Sequence, residues 1–317
     1  MIQRENLSKK YSNILPTQEQ TLFLRACLWK GEGGCRAWTQ WRDFVKDPIE
    51  KITKDNRGLK RLLPLLLLSL ERNEVSVDRH LLTCLRTAYF REEMRKKIYG
   101  RICRKVLSTL SSSSTKAIVL KGAALAETVY DDPVCRHCHD IEILANEDEL
   151  DHLLNLAEVL DFTRSSIVTN SKWENISFIH KTGLSLVFRR YLFRQSNSDL
   201  TFAQLWSRSI NQRISNVPMR ILSPGDNLLH ICANAFLYGC SVPIGWVCDA
   251  WFIINRYPDF DWNLLLESVR RTHLELPLSL TAGYLAEDLE APIPSIFIDG
   301  LRATVSRASR NFNECLT

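Results

Sequence analysis

The chain has 317 residues, 45% of them hydrophobic, and a formal net charge of +5. This composition excludes a chain that is disordered throughout and supports a buried core in one large domain or two modest ones. The charge is too mild to demand a polyanionic partner, although it suits a protein that handles phosphates or nucleic acid.

The N-terminal stretch MIQRENLSKKYS is polar and has no apolar run of signal-peptide type. Residues 62–70 are the most apolar segment. They contain Pro64, are bounded by Arg61 and Glu71, and fall short of the roughly 20 residues that span a bilayer. Ten cysteines scattered singly read as small buried hydrophobes in a reducing compartment. The expectation is a soluble, cytoplasmic protein with no membrane partner.

Apolar residues recur at helical spacing in TLFLRACLWK, RLLPLLLLSLERN and RHLLTCLRTAYFREEMRKKIYGRICRKVLSTL, so residues 18–110 read as helical. The last of these helices has a basic face: Arg91, Arg95, Lys96, Lys97, Arg101, Arg104 and Lys105. Such a face is either solvated or turned toward phosphate or RNA. A serine run at 111–114 breaks the helix. Ala117-Ile118-Val119-Leu120 then reads as a short buried strand closed by Lys121-Gly122, and GAALAETVY opens a helix. Asp131-Asp132-Pro133 signals a turn. Asp140-Ile141-Glu142-Ile143-Leu144 reads as a second strand, and Asn146 is placed to cap the helix EDELDHLLNLAEVLDF. Residues 176–180 and 184–191 read as two strands joined by the hairpin signal Lys181-Thr182-Gly183. From Ser223 the pattern is helical again, through SPGDNLLHICANAFLYG, VPIGWVCDAWFIINRY and DWNLLLESVRRTHLEL. The predicted architecture is α+β: a small mixed sheet at 113–222, flanked by helical regions at 1–112 and 223–317.

The stretch from Leu120 to Leu144 carries the chemistry. Side chains alternate along a strand, so Asp140 and Glu142 share a face, where two carboxylates can bind divalent cations through oxygen. Gly122 leaves the strand-to-helix corner without a side chain, so backbone N–H groups and a helix N-terminus can approach a phosphate there. Lys121 adds a positive charge.

LKGAALAETVYDDPVCRHCHDIEIL resembles the signature block of the uncharacterised nucleotidyltransferase family, of the DNA polymerase β-like superfamily: a Leu-Lys-Gly corner, a helix ending in Tyr, an Arg, then Asp-x-Asp on a strand. RLLPLLLLSL, ILSPGDNLLHICANAFLYG, GWVCDAWFII and DFDWNLLLESVRR are similar to its other segments, so the resemblance covers roughly residues 20–275. It implies a minimal nucleotidyltransferase fold that binds a nucleoside triphosphate with Mg²⁺ or Mn²⁺. It also implies transfer of a nucleoside monophosphate to an acceptor (small molecule, peptide, protein or RNA) with release of pyrophosphate. By residue, Asp140 and Glu142 are the implied metal ligands. Lys121, Gly122, Arg136 and Arg189 are the implied nucleotide and phosphate contacts. Two departures stand out. The second acid is Glu142 rather than Asp, and the later strand LSLVFRRYL has Val187 and Arg189 where the family's Asp-x-His is expected, which removes the third acid. Arg189 beside the acids is expected to compete with a cation.

Cys135-Arg-His-Cys138-His139 fits the haem-attachment pattern, but it runs straight into the Asp140 strand of a chain without an export signal, so no haem is expected. Zinc lacks a second ligand pair at good spacing. His230 and Asp249 lie on apolar helices and are expected to be partnered core groups. Three functions remain in view: an active nucleotidyltransferase, a degenerate member that binds nucleotide or a partner without turnover, and an RNA-binding module on the basic helix.

Overall fold

The computed structural model describes residues 14–113, 115–165, 175–193, 200–238 and 242–314. The polar N-terminal stretch, Ser114 and the expected helix end at Gly239 lie outside them. Two compact units result, one formed by Met1–Tyr89 with Leu228–Thr317 and one by Phe90–Asn227. Among the described residues no helix is long and apolar enough to cross a membrane.

The first unit is helical. It contains α1 (Gln18–Leu28), α2 (Gly31–Phe44), α3 (Pro48–Lys54), α4 (Leu63–Arg72) and the start of α5 (Arg79–Ser112). Later in the chain come the body of α9 (Pro224–Tyr238), then α10 (Gly245–Arg256), α11 (Trp262–Thr272), α12 (Glu275–Asp288) and α13 (Ser295–Glu314). A capping box between Thr17 and Gln20 starts α1 and satisfies backbone donors at its first turn. Asp47 and Asp261 cap α3 and α11 through their carboxylates. Phe23 and Trp41, both fully buried, meet edge to face at 5.0 Å, and Trp38 stacks on Trp41 at 5.4 Å. The apolar run of residues 62–70 is the buried helix α4 with its Pro64 in the first turn, where no N–H partner is lost. Gly58 turns the chain ahead of it with φ 92°, and a Cβ there would lie 2.7 Å from Pro243 Cβ, so only glycine fits. His230 and Asp249 belong to this unit and are buried, at 1% and 3% exposure.

The second unit is built on a seven-stranded mixed sheet of order β3-β4-β5-β2-β1-β7-β6. Its strands are β1 (Ala117–Leu120), β2 (Asp140–Ala145), β3 (Phe162–Arg164), β4 (Asn175–His180), β5 (Ser185–Arg189), β6 (Ile210–Ile214) and β7 (Val217–Ile221). β1 runs antiparallel to β2 and parallel to β7, and β2 runs parallel to β5. The fold is therefore mixed α and β, as expected, with helices before and after the sheet in the chain. The sheet takes in strands not read from the sequence: β3, between β2 and β4 in the chain, and the β6–β7 hairpin beyond β5. Short helices complete the unit: α6 (Lys121–Thr128), α7 (Leu150–Val159) and α8 (Phe202–Arg208).

One face of the sheet carries Val119, Ile141, Ile143, Leu186, Phe188 and Met219, which pack with Val106, Leu107 and Leu110 of α5 and Leu153 and Leu156 of α7. The alternation puts Asp140, Glu142, Ser185, Val187 and Arg189 on the other face. The β6–β7 turn passes through Ser215 (φ 50°) and Asn216 (φ 67°), a left-handed pair without glycine. It is clamped: Ser215 N–H donates to Glu127 Oε2 at 2.5 Å, and Arg104 Nε donates to the Ser215 carbonyl at 3.0 Å.

Phe188→Ala should cost about 3–5 kcal/mol by urea denaturation, the range for emptying an aromatic core position. Half-buried Val187→Ala should cost about 1 kcal/mol or less. Equal losses would show that β5 sits one residue out of this register.

Candidate functional site

The site forms where β1 gives way to α6, beside the start of β2. Antiparallel pairing sets Leu120 opposite Glu142, and parallel pairing sets Val187 opposite Glu142. Lys121 follows Leu120 directly and takes φ 46°, a left-handed conformation that costs a non-glycine residue about 1–3 kcal/mol. From this corner Lys121 Nζ donates to Glu142 Oε1 at 3.1 Å. From β5, Arg189 Nε donates to Glu142 Oε2 at 2.6 Å and its Nη1 donates to Asn175 Oδ1 at 3.3 Å. Glu142 is 5% exposed, and each of its oxygens meets a cation. A buried carboxylate needs such partners, and charge-assisted bonds of this kind are the strong ones.

Asp140 differs. It is half-buried, and among the described residues its carboxylate accepts no hydrogen bond and joins no ion pair. Burial holds it above the ordinary carboxylate value, and the charge of Glu142 pushes the same way; His139, Lys121 and Arg136 oppose them. Asp140 borders a cavity of about 50 Å³ beneath Tyr99, Cys103, Gly122 and Cys138. That volume suits one or two solvent molecules rather than a nucleotide.

The Gly122 corner is not open space. A Cβ at Gly122 would lie 3.1 Å from Cys138 Sγ and 3.4 Å from Arg136 Nη1. The Arg136 guanidinium donates to the His137 carbonyl, and Cys138 Sγ donates to the Asp140 carbonyl at 3.1 Å. Burial pushes the Cys138 thiol up to about 11 and Cys103 up to about 12, so neither is a ready thiolate. His137 Nδ1 lies 3.0 Å from Glu92 Oε1, and Arg95 bonds both. This Glu92–His137–Arg95 cluster pins the loop that delivers β2. His137 lies 42–45 residues from its two partners in the chain. No local pattern announces it.

The structure thus brings together Lys121, Glu142 and Arg189, and sets Gly122 against Arg136. Val187 stands opposite Glu142 with an alkyl side chain where an acid was sought. Among the described residues no group of three His, Cys, Asp or Glu side chains can hold a metal. With both Glu142 oxygens engaged, the Asp140–Glu142 pair as folded does not fit a divalent ion. The basic face of α5 is largely committed: Lys96 pairs with Glu127 at 3.2 Å, Lys97 with Glu93 at 2.9 Å, and Arg95 and Arg104 bond as above.

No curated protein matches the chain. Among solved structures, the antibiotic-resistance factor ANT(2'')-Ia, known in solution, is 12% identical over 69% of this chain and 99% of its own, with a TM-score of 0.34. That likeness is too loose to bear on the site. A family model described as uncharacterised nucleotidyltransferase matches residues 59–289, well over half of the chain, including the Lys121–Gly122 corner, the Asp140–Glu142 strand and the β5 strand. The chain belongs to the uncharacterised nucleotidyltransferase family.

Proposed function

We propose that the protein binds a nucleoside triphosphate beside the Lys121–Glu142–Arg189 cluster and transfers its nucleoside monophosphate to an acceptor. The observation that carries this reading is the convergence of two cations on Glu142 next to an acid, Asp140, that has no ion-pair partner among the described residues. Lys121 and Arg189 are suited to triphosphate oxygens, Arg189 through its planar fork. Arg136, beside Gly122 at the start of α6, suits a further phosphate oxygen. In the transfer the acceptor's hydroxyl or amine attacks the α-phosphorus, the bond to the β-phosphate oxygen breaks, and pyrophosphate leaves. Asp140 takes the acceptor's proton; a carboxylate held above its ordinary value is a better base near neutrality. No step is routed through Mg²⁺, because each Glu142 oxygen already meets a cation. The setting proposed is the cytoplasm, where triphosphates are made.

A second reading, nucleotide binding without turnover, is favoured by Val187 opposite Glu142 and by the neutralised acid. Each labelled triphosphate incubated with the protein and a cell extract separates the two. Transfer of label to any acceptor supports the first reading, and retention of nucleotide without transfer supports the second. Salt-sensitive retention of RNA with neither outcome would instead point to the exposed part of the α5 face.

Asp140→Asn should abolish transfer, on the first reading, and at the same time stabilise the fold. The sign follows from linkage. An acid raised in the folded state holds its proton there when the unfolded chain has lost it, so stability falls as pH rises past the ordinary value of 3.8. The asparagine variant lacks that fall. Urea midpoints measured from acid to neutral pH should coincide for the two proteins below that value and diverge above it, with the variant the more stable. A variant that is less stable at neutral pH would mean that the Asp140 charge is welcome in the fold.

A further inference from the structure

We infer that Lys121 and Arg189 stand where this family's divalent metal would be expected, so that the site holds a triphosphate without Mg²⁺ or Mn²⁺. The inference rests on the reading of this cluster as a triphosphate site and specifies how the site is charged.

Three observations converge. The bonding comes first. Glu142 gives one oxygen to the Lys121 ammonium at 3.1 Å and the other to the Arg189 guanidinium at 2.6 Å, with its side chain only 6% exposed. A metal entering here must break two charge-assisted bonds and leave Arg189, 18% exposed at its side chain, without its acid. The second is the sign of the site. Lys121, Arg136 and Arg189 outnumber Asp140 and Glu142, so the cluster favours an anion before any metal arrives. A bare pair of carboxylates would repel a triphosphate, and this is the repulsion that a divalent ion ordinarily removes.

The third is preorganisation. Arg189 is anchored on Asn175 of the neighbouring strand, and its residue is fixed by the β2–β5 register. Lys121 reaches Glu142 from a left-handed backbone (φ 46°), an uncommon conformation for a side chain of this size. Opposite Glu142, Val187 contributes alkyl surface rather than an oxygen ligand. Both cations are therefore held in place, Arg189 on β5 and Lys121 at the first residue after β1.

Inorganic triphosphate is the probe, since it carries the shared part of every candidate nucleotide. Calorimetric titration of the full chain in excess EDTA and in excess MgCl₂ should give dissociation constants within about twofold of each other. Mn²⁺ alone, followed by electron paramagnetic resonance, should show no saturable binding. Triphosphate binding that appears only with Mg²⁺, or saturable Mn²⁺ binding, overturns the inference and leaves the triphosphate site standing. Binding under neither condition overturns both.

Arg189→Gln, checked for folding by its thermal melt, should weaken triphosphate binding in EDTA by about tenfold or more, and Mg²⁺ should restore part of the loss. Unchanged binding in EDTA by the folded variant removes Arg189 from the metal's place. Should the variant not fold, the two titrations of the natural protein decide the matter.

Discussion

A carboxylate buried in the middle of a sheet cannot stand alone, and the demand of Glu142 for counter-charge organises this protein's site. Loss of one partner from a buried ion pair typically costs about 3–5 kcal/mol, because the remaining charge is stranded away from water. Here the partners come from two directions, one from the residue after β1 and one from β5. The carboxylate thus fastens three consecutive strands of the sheet, β1, β2 and β5, on the face opposite the apolar core. The unusual backbone at Lys121 is intelligible in that light. The chain must leave β1, start a helix and present an ammonium to the neighbouring strand within a single residue.

Around this centre, polar clamps rather than apolar packing fix the loops. Glu92, His137 and Arg95 tie the loop before β2 to α5. Glu127 serves Lys96 and the Ser215 turn together, and Arg104 takes the carbonyl of the same turn. On the opposite flank Asp226, at the start of α9, joins Arg208 at 2.8 Å and accepts from Ser223 at 2.7 Å, although burial raises its carboxyl above the ordinary range. Many of this unit's cations are therefore committed to acids and carbonyls of the same unit.

Much of the architecture was legible in the sequence wherever one local rule spoke alone. The two-residue alternation of Asp140-Ile141-Glu142-Ile143-Leu144 set the face of β2, and Gly183, with φ 86°, marked the β4–β5 turn. The same alternation put Val187 and Arg189 on the acids' face. What escaped had conflicting local signals. The β6–β7 hairpin turns on Ser215-Asn216 instead of a glycine pair, and its strand Ile-Asn-Gln-Arg-Ile is mostly polar. Asn146 precedes a short 3-10 turn at Glu147–Glu149, and makes no side-chain cap there. The basic face of α5 read as a continuous stripe because Glu127, which pairs with Lys96, comes from another helix, although the Glu93–Lys97 pair lies at a local i,i+4 spacing.

The glycine at the corner has a further meaning. In the sequence it reads as a cradle for a ligand, but a Cβ at Gly122 would press on the Cys138 thiol at 3.1 Å and on the Arg136 guanidinium at 3.4 Å. The two positions 122 and 138 therefore share one small space. A side chain at 122 requires the Cys138 thiol and the Arg136 guanidinium to give by a few tenths of an ångström, so the corner glycine serves the packing of the loop before β2 as well as any ligand.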